Sequence, residues 1–156
     1  MPTPEERLRE LGIELPQPAA PVAAYVPCVR SGDLLFVSGQ VPLVDGRPAW
    51  TGRLGAEGLG ADEGAAAAKV CAVNLLAALK AELGDLGRVR RVVKLTGFVA
   101  SEPGFNDHPK VVNGASDLFG EVFGEAGRHA RAAVGVAALP LGVPVEVEAI
   151  VEVAGE

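Results

Sequence analysis

One arginine stands alone among small apolar residues late in the sequence. Arg131 belongs to the run Ala130-Arg-Ala-Ala-Val-Gly-Val-Ala137, which has the apolar character of a strand. A guanidinium does not lose its proton, so a buried one requires a partner. The small neighbours leave space beside Arg131, as a pocket for a carboxylate ligand would. A structural ion pair with Glu146 or Glu148 accounts for the pattern equally well, and the residues alone leave both interpretations open.

A second group of polar residues, Ser38-Gly39-Gln40, closes another apolar strand. Polar residues at such a position either cap the strand or line a site, and again both interpretations stay open.

The patterns of the common cofactor sites are absent. The only histidines, His108 and His129, fall on different predicted elements and belong to no pattern of metal ligands. A dinucleotide-binding Gly-x-Gly-x-x-Gly fails after Gly58 and Gly60, because Glu63 occupies the third position. We therefore expect no metal and no cofactor.

The composition argues against nucleic acid as a partner. The formal net charge is −6, with 14 Lys and Arg against 20 Asp and Glu, whereas a surface that tracks phosphates needs clustered cations. Aromatic residues make up only 4% of the chain, too few for a platform on which bases stack.

The chain is expected to be soluble and cytoplasmic. No unbroken apolar run approaches the roughly 18 residues of a membrane span. The start, Met-Pro-Thr-Pro-Glu-Glu-Arg, lacks the features of a signal or transit peptide. Cys28 and Cys71 lie far apart in apolar stretches and are interpreted as small core residues of a reducing compartment.

Periodicity predicts two long helices within a succession of strands. The length suits one domain over residues 1–156, with a helical and Pro-rich extension over residues 1–20. Predicted helices cover residues 4–11, residues 62–83 (capped by Asp62), and a segment capped by Asn106 or Asp107 that ends near Gly124. Predicted strands cover residues 25–29, 34–37, 91–100, 130–137 and 145–153. This order predicts an α+β fold with a single mixed sheet covered on one face by two helices.

The last predicted strand shows which residues lie on the sheet face that no helix covers. Val145, Val147, Ala149, Val151 and Val153 form one side of this strand. Glu146, Glu148, Ile150 and Glu152 form the other. A mixed second face suits a contact with another copy of the chain better than open solvent, so we expect self-association.

Taken together, these segments resemble the Rid family of reactive-intermediate deaminases, also called YjgF-like or L-PSP endoribonuclease-like proteins. The similarity runs from about Tyr25 to Val153. Its pieces, in family order, are Tyr25-Val26, Leu35 to Pro42, Val112-Asn113, Ala130-Arg131, Leu139-Pro140 and Val145 to Ile150. The N-terminal helix and the segment from Gly127 to Val136 resemble those of a longer branch of that family.

The resemblance implies a chorismate-mutase-like homotrimer with sites in clefts between subunits. It also implies cofactor-free hydrolysis of reactive enamines and imines, such as 2-aminoacrylate, to 2-oxo acids and ammonia. In that scheme Arg131 binds the substrate carboxylate in a bidentate fork and Glu146 activates the water. The remaining pocket residues implied are Tyr25, Ser38, Gly39 and Asn113, with the backbone of Ala133 helping to hold the water.

This chain departs from the family at three places. Ala133 stands where the family often has Cys, His129 where it often has Pro, and Ala23-Ala24 where it often has Gly-Pro. Two other functions therefore remain as alternatives: a non-catalytic trimer that binds small carboxylates or amino-acid metabolites, and an endoribonuclease.

Overall fold

The computed structural model describes residues 1–18 and 23–155. Its helices are α1 (Pro4–Glu10), α2 (Ala61–Leu83) and α3 (His108–Phe123). Its strands are β1 (Cys28–Ser31), β2 (Leu34–Gln40), β3 (Leu43–Val44), β4 (Arg47–Pro48), β5 (Val89–Ala100), β6 (Ala130–Val136) and β7 (Val145–Val153). The predicted succession of helices and strands is confirmed.

Five strands form one mixed sheet in the order β1-β2-β7-β5-β6. All neighbours are antiparallel except β5 and β6, which run parallel because α3 connects them. The last strand, β7, therefore lies in the middle of the sheet, while β6 lies at an edge. The two short strands β3 and β4 form a separate hairpin around a turn at Asp45 and Gly46.

Helices α2 and α3 cover one face of this sheet, as predicted. Along β7, residues alternate between buried valine or alanine and half-buried glutamate or isoleucine. The buried series packs with the helices in a core that includes Leu75, Leu79, Val111 and Phe119. The other face carries no helix of the described residues, so its apolar side chains Val29 and Phe36 are 54% and 43% exposed.

Several predicted boundaries were wrong by a few residues. Helix α2 has Gly60 rather than Asp62 as its N-cap, and Glu63 accepts a hydrogen bond from the Gly60 N–H. The three-to-four spacing of α2 predicts a core-facing stripe of Val73, Leu76, Leu79 or Lys80, and Leu83. Leu76, Leu79 and Leu83 are buried as predicted, whereas Val73 is only half-buried, and Cys71 and Leu75 are buried in addition. The first strand begins at Cys28, so Tyr25 precedes it.

By length and composition alone, α2 could cross a membrane. The expectation of no such segment rested on unbroken apolar runs, and α2 is interrupted by Lys69, Asn74 and Lys80. More than half of its most apolar window is buried inside the fold, which is typical of a core helix.

The N-terminal helix α1 is tied to the rest of the fold by one carboxylate. Glu5 accepts hydrogen bonds from Lys80 Nζ at 3.0 Å and from the Leu86 N–H at 2.8 Å. Leu8 on the same helix is buried in the core. Ala19 and Ala20, which end the predicted extension, and the following Pro21 lie outside the described residues.

Candidate functional site

Arg131 lies on edge strand β6, with its side chain on the helix-covered side of the sheet. Its register partner on β5 is Leu95, a fully buried core residue. The guanidinium reaches α3, where Nη1 donates to Asn113 Oδ1 at 2.7 Å and to Ser116 Oγ at 3.1 Å. Arg131 is half-buried, so it lies at the margin of the core rather than within it.

These two hydrogen bonds use only one nitrogen of the guanidinium. Nη1 carries two hydrogens, and Asn113 and Ser116 accept both. Nε and Nη2 have no hydrogen-bond partner within residues 1–18 and 23–155. The Nε–Nη2 edge offers two parallel donors, the geometry that binds a carboxylate in a bidentate fork.

The predicted Asn113 and Ala133 lie near Arg131. Asn113 contacts it directly. Ala133 follows two positions along β6 and therefore lies on the same side of the strand. It is paired with Gly97 of β5, where a Cβ would collide with Val112 of α3. Gly97 thus lets α3 pack closely against this part of the sheet, and the space expected beside Arg131 stays a prediction.

Two polar residues of this group, Ser116 and His129, were not predicted as site residues. Ser116 Oγ lies 3.1 Å from Arg131 Nη1 and 2.9 Å from His129 Nε2. The available signal was the spacing of His129 and Arg131, which are two residues apart and lie on one side of an extended segment. Nothing in the sequence pointed to Ser116.

The other predicted residues form a second group, at the end of β2. The Ser38 hydroxyl donates to the Val26 carbonyl at 2.7 Å, and the Ser38 N–H donates to the Pro27 carbonyl at 2.8 Å. These bonds fix the segment that carries Tyr25, whose side chain is 55% exposed. Ser38 therefore lies where the register of β2 against β7 shifts, between Val37 and Gln40, and it holds the segment that carries Tyr25 in place.

Glu146 of β7 belongs to this second group. Its partner on β5 is Phe98, and it lies on the face that carries no helix. A Cβ placed on Gly39 would come within 2.5 Å of Glu146 Oε2, so the glycine leaves room for the carboxylate. Partial burial raises the pKa of Glu146 above its usual range, and the nearby negative charge of Glu148 raises it further.

The two groups do not meet within one protomer. Arg131 lies on the helix-covered side and Glu146 on the opposite side. Strands β7 and β5 also separate β2 from β6, and three strand spacings amount to about 14 Å. Among the described residues, Arg131 forms no ion pair with Glu146 or Glu148, so the structural pairing considered for it is absent within the protomer.

The two histidines serve different elements. His108 starts α3 and its Nε2 lies 3.0 Å from Ser101 Oγ, while His129 lies beside Ser116. Within the described part of the chain, no three His, Cys, Asp or Glu side chains converge as metal ligands.

Comparison with known proteins places the chain in a family. Residues 5–153 match the family described as "YjgF/chorismate mutase-like, putative endoribonuclease". Protein TCP17 of Trypanosoma cruzi is 56% identical over 93% of this chain and 91% of its own length. The crystal structure of Atu1372, a protein of unknown function from Agrobacterium tumefaciens, is 52% identical with a TM-score of 0.90, covering 97% of this chain and 92% of that one.

A more distant structure contains a ligand. TdcF of Escherichia coli, crystallised with bound serine, is 25% identical with a TM-score of 0.61 and covers 88% of this chain and 94% of its own.

Proposed function

Because this chain belongs to the YjgF/chorismate mutase-like family, we propose that it hydrolyses reactive 2-imino acids and their enamine tautomers to 2-oxo acids and ammonia. The observation that carries this proposal is the Nε–Nη2 edge of Arg131, which has no hydrogen-bond partner among the described residues while Asn113 and Ser116 hold Nη1. Every substrate of the 2-aminoacrylate type carries a carboxylate next to the reacting carbon. Binding that carboxylate in a bidentate fork fixes the position of the carbon.

The ligand in the TdcF structure supports a carboxylate site. Serine, which that protein binds, is a small amino acid with a free carboxylate. A 2-imino acid has the same carboxylate with a planar carbon beside it. The same chemistry of recognition would therefore serve this chain.

Glu146 is the proposed acid and base. An iminium carbon is already electrophilic, so the reaction needs a water molecule and a group that moves protons. Glu146 takes a proton from the water as its oxygen bonds to C2. It then passes this proton to the nitrogen, and the C–N bond breaks as the new hydroxyl group gives its proton to Glu146 and becomes the carbonyl of the 2-oxo acid. The released ammonia takes that proton and leaves as ammonium, so Glu146 is again a carboxylate. The raised pKa of Glu146 favours this role, because it brings the carboxyl group closer to the pH range in which a catalytic group both accepts and donates protons.

A second copy of the chain completes the site. Since Arg131 and Glu146 lie on opposite sides of the sheet, one small ligand reaches both only if Arg131 of one protomer approaches Glu146 of another. The apolar side chains on the uncovered face, including Val29 and Phe36, favour such a contact. We propose a homotrimer with three equivalent clefts, lined by Tyr25, Ser38 and Gly39 from one copy and by Asn113 and Ala133 from the next.

A binding protein without catalysis is the second candidate. It is favoured by the serine in TdcF, which is a stable amino acid rather than an imine. A binder would also use Arg131 but would have no need of Glu146 as a base. The two functions therefore differ in their dependence on Glu146.

An endoribonuclease is disfavoured, although the family description includes that activity. The net charge of −6 opposes binding of a polyanion. The two histidines are engaged with different serines, so they do not form a pair that could transfer protons at a phosphate.

The decisive experiment generates the imine in solution and follows its fate. An amino-acid oxidase converts alanine to 2-iminopropanoate, and semicarbazide traps whatever imine is not yet hydrolysed. Catalysis predicts less trapped product and faster release of ammonia in proportion to the amount of protein. Binding of pyruvate without any acceleration would favour the non-catalytic function, and absence of both effects would contradict the carboxylate site.

A further inference from the structure

Ser116 and His129 connect Arg131 to a fixed point of the backbone. His129 Nδ1 lies 2.6 Å from the Gly127 carbonyl oxygen, and His129 Nε2 lies 2.9 Å from Ser116 Oγ. Ser116 Oγ in turn accepts from Arg131 Nη1 at 3.1 Å. The Gly127 carbonyl, His129, Ser116 and Arg131 are therefore linked in one continuous series of hydrogen bonds.

The chemistry of the groups sets the direction of each bond. A carbonyl oxygen only accepts, so His129 Nδ1 carries a hydrogen and donates it to Gly127. In a neutral ring Nε2 is then an acceptor, and the Ser116 hydroxyl donates to it. This orientation of the hydroxyl leaves the lone pairs of Ser116 Oγ facing the Arg131 guanidinium, which can only donate.

Close packing holds the Gly127 carbonyl, at which this series of hydrogen bonds ends. A Cβ on Gly127 would collide with the Phe119 carbonyl of α3, so the backbone approaches the helix closely at this point. Gly127 is buried, and the Gly127 carbonyl is thereby fixed relative to Ser116 on the same helix. The imidazole therefore bridges two groups, the Gly127 carbonyl and Ser116 Oγ, that are both held against or within α3.

We propose that His129 is a positioning residue for Arg131. Acting through Ser116, it fixes the rotation of the guanidinium so that the Nε–Nη2 edge, rather than Nη1, meets the ligand carboxylate. This inference rests on the proposed function and refines it. The site selects ligands whose carboxylate lies in the plane of the guanidinium, which the bonds to Asn113 and Ser116 orient. His129 itself does not contact the reacting atoms.

Loss of the Ser116 hydroxyl or of the His129 imidazole should weaken ligand binding more than it lowers kcat. Without the serine hydroxyl or the imidazole, the guanidinium rotates between several orientations, and only some of them present the fork. We expect Ser116→Ala and His129→Phe to weaken pyruvate binding about tenfold, which corresponds to about 1.4 kcal/mol. The value of kcat stays within about twofold, because Glu146 and the water are untouched.

The chain supplies a matched control in its other serine–histidine pair. Ser101 Oγ lies 3.0 Å from His108 Nε2, is half-buried like Ser116, and does not contact Arg131. Ser101→Ala thus removes the same hydroxyl from the same kind of pair. Ser116→Thr and His129→Gln retain hydrogen-bonding groups and serve as rescue variants.

The experiment uses the full-length assembled protein and three measurements. Calorimetric titration gives the Kd for pyruvate, the oxidase-coupled assay gives kcat and KM, and ¹⁵N NMR follows the Arg131 Nε–H signal, assigned through Arg131→Lys. We expect a sharp Nε–H signal in the wild type, in Ser101→Ala and in the rescue variants. The signal should be broadened in Ser116→Ala and His129→Phe, in parallel with the weaker binding.

The outcomes separate this inference from the proposed function. A sharp Nε–H signal and wild-type affinity in Ser116→Ala or His129→Phe would overturn it, as would a wild type without an ordered signal. A loss of melting temperature with unchanged Kd in the folded fraction would assign the pair a structural role and also overturn it. If the NMR result holds but no imine is hydrolysed, the positioning stands while the proposed reaction is wrong.

Discussion

Gly39 lies directly against the carboxylate of Glu146, although the two residues are more than a hundred positions apart in the sequence. A Cβ on Gly39 would come within 2.5 Å of Oε2 and 3.0 Å of Cδ. The contacting atoms are the far end of a flexible side chain, so an added methyl group would move the carboxylate rather than the backbone. The glycine therefore determines where the proposed base can lie.

Gly39→Ala should reduce imine hydrolysis by about 10²-fold while leaving the melting temperature nearly unchanged, because small misplacements of a catalytic group have effects of that order. Gly120→Ala is the control, since a methyl group there meets open space within α3 and alanine favours a helix. Equal activity of Gly39→Ala and wild type would mean that the position of Glu146 is irrelevant to the reaction.

Arg131→Lys should abolish most of the activity, and Arg131→Ala all of it, because an ammonium cannot reproduce the planar fork. Both variants should keep their fold, since Arg131 forms no ion pair among the described residues. Arg128→Lys is the control: that arginine is exposed, and its one ion pair among the described residues is with Glu125, at 3.8 Å. A folded Arg131→Lys with wild-type kcat/KM would remove Arg131 from the site.

Glu146→Gln should retain pyruvate binding and lose turnover by about 10²-fold or more. In the wild type the ionised carboxylate is the base, so activity falls as the pH drops through its pKa. The raised pKa of Glu146 places this acid limb above the usual range for glutamate. Steady-state rates measured across acidic and neutral pH define the limb.

Glu148→Gln tests the cause of that shift. Removing the neighbouring negative charge lowers the pKa of Glu146, so the acid limb of the activity profile should move to lower pH. Burial, the larger cause, remains, and the limb should therefore stay above the usual glutamate range. If the acid limb stays where it is in Glu148→Gln, the raised pKa of Glu146 is due to burial alone.

Glu5→Gln should destabilise the protein at neutral pH. Partial burial raises the pKa of Glu5, but hydrogen bonds from Leu86 and Lys80 outweigh it and lower the pKa overall. A lowered pKa gives stability that is present above the usual glutamate range and is lost as the pH falls through the folded-state value. The bonds to this partly exposed carboxylate contribute about 1 kcal/mol, or about 3 °C in Tm.

Melting curves at several pH values test this prediction. The difference between wild type and Glu5→Gln should shrink as the pH falls below the usual glutamate pKa, and Glu10→Gln should melt like the wild type throughout. A difference independent of pH would show that the charge of Glu5 is not what stabilises α1.

Light scattering should give three times the protomer mass of 16.0 kDa. Phe36→Glu places a charge on the uncovered face, so it should dissociate the assembly and abolish activity together. Val44→Glu is the control, because Val44 is equally exposed but lies on the separate β3–β4 hairpin. An active monomer would contradict the proposed shared site.

The sequence by itself determined most of the local structure, while the residues of the proposed site were implied by the family resemblance and stay a prediction. Two-residue alternation in β7 requires one buried and one open face, and the three-to-four spacing of α3 requires a single packed side. Arg131 was recognisable because a permanent charge among small apolar residues needs a partner. Helix caps and strand ends were less certain, as at Gly60 and Cys28, because several neighbouring residues could serve.

Only the tertiary structure decided which residues meet. Alternation defines two faces for each strand, but it does not say that β7 lies between β2 and β5, nor that Arg131 and Glu146 face opposite sides. Those facts depend on pairing between distant segments, which local periodicity does not encode. The contact of Ser116 with His129 and Arg131 has the same origin, since it exists only because α3 returns along the edge of the sheet that β6 completes.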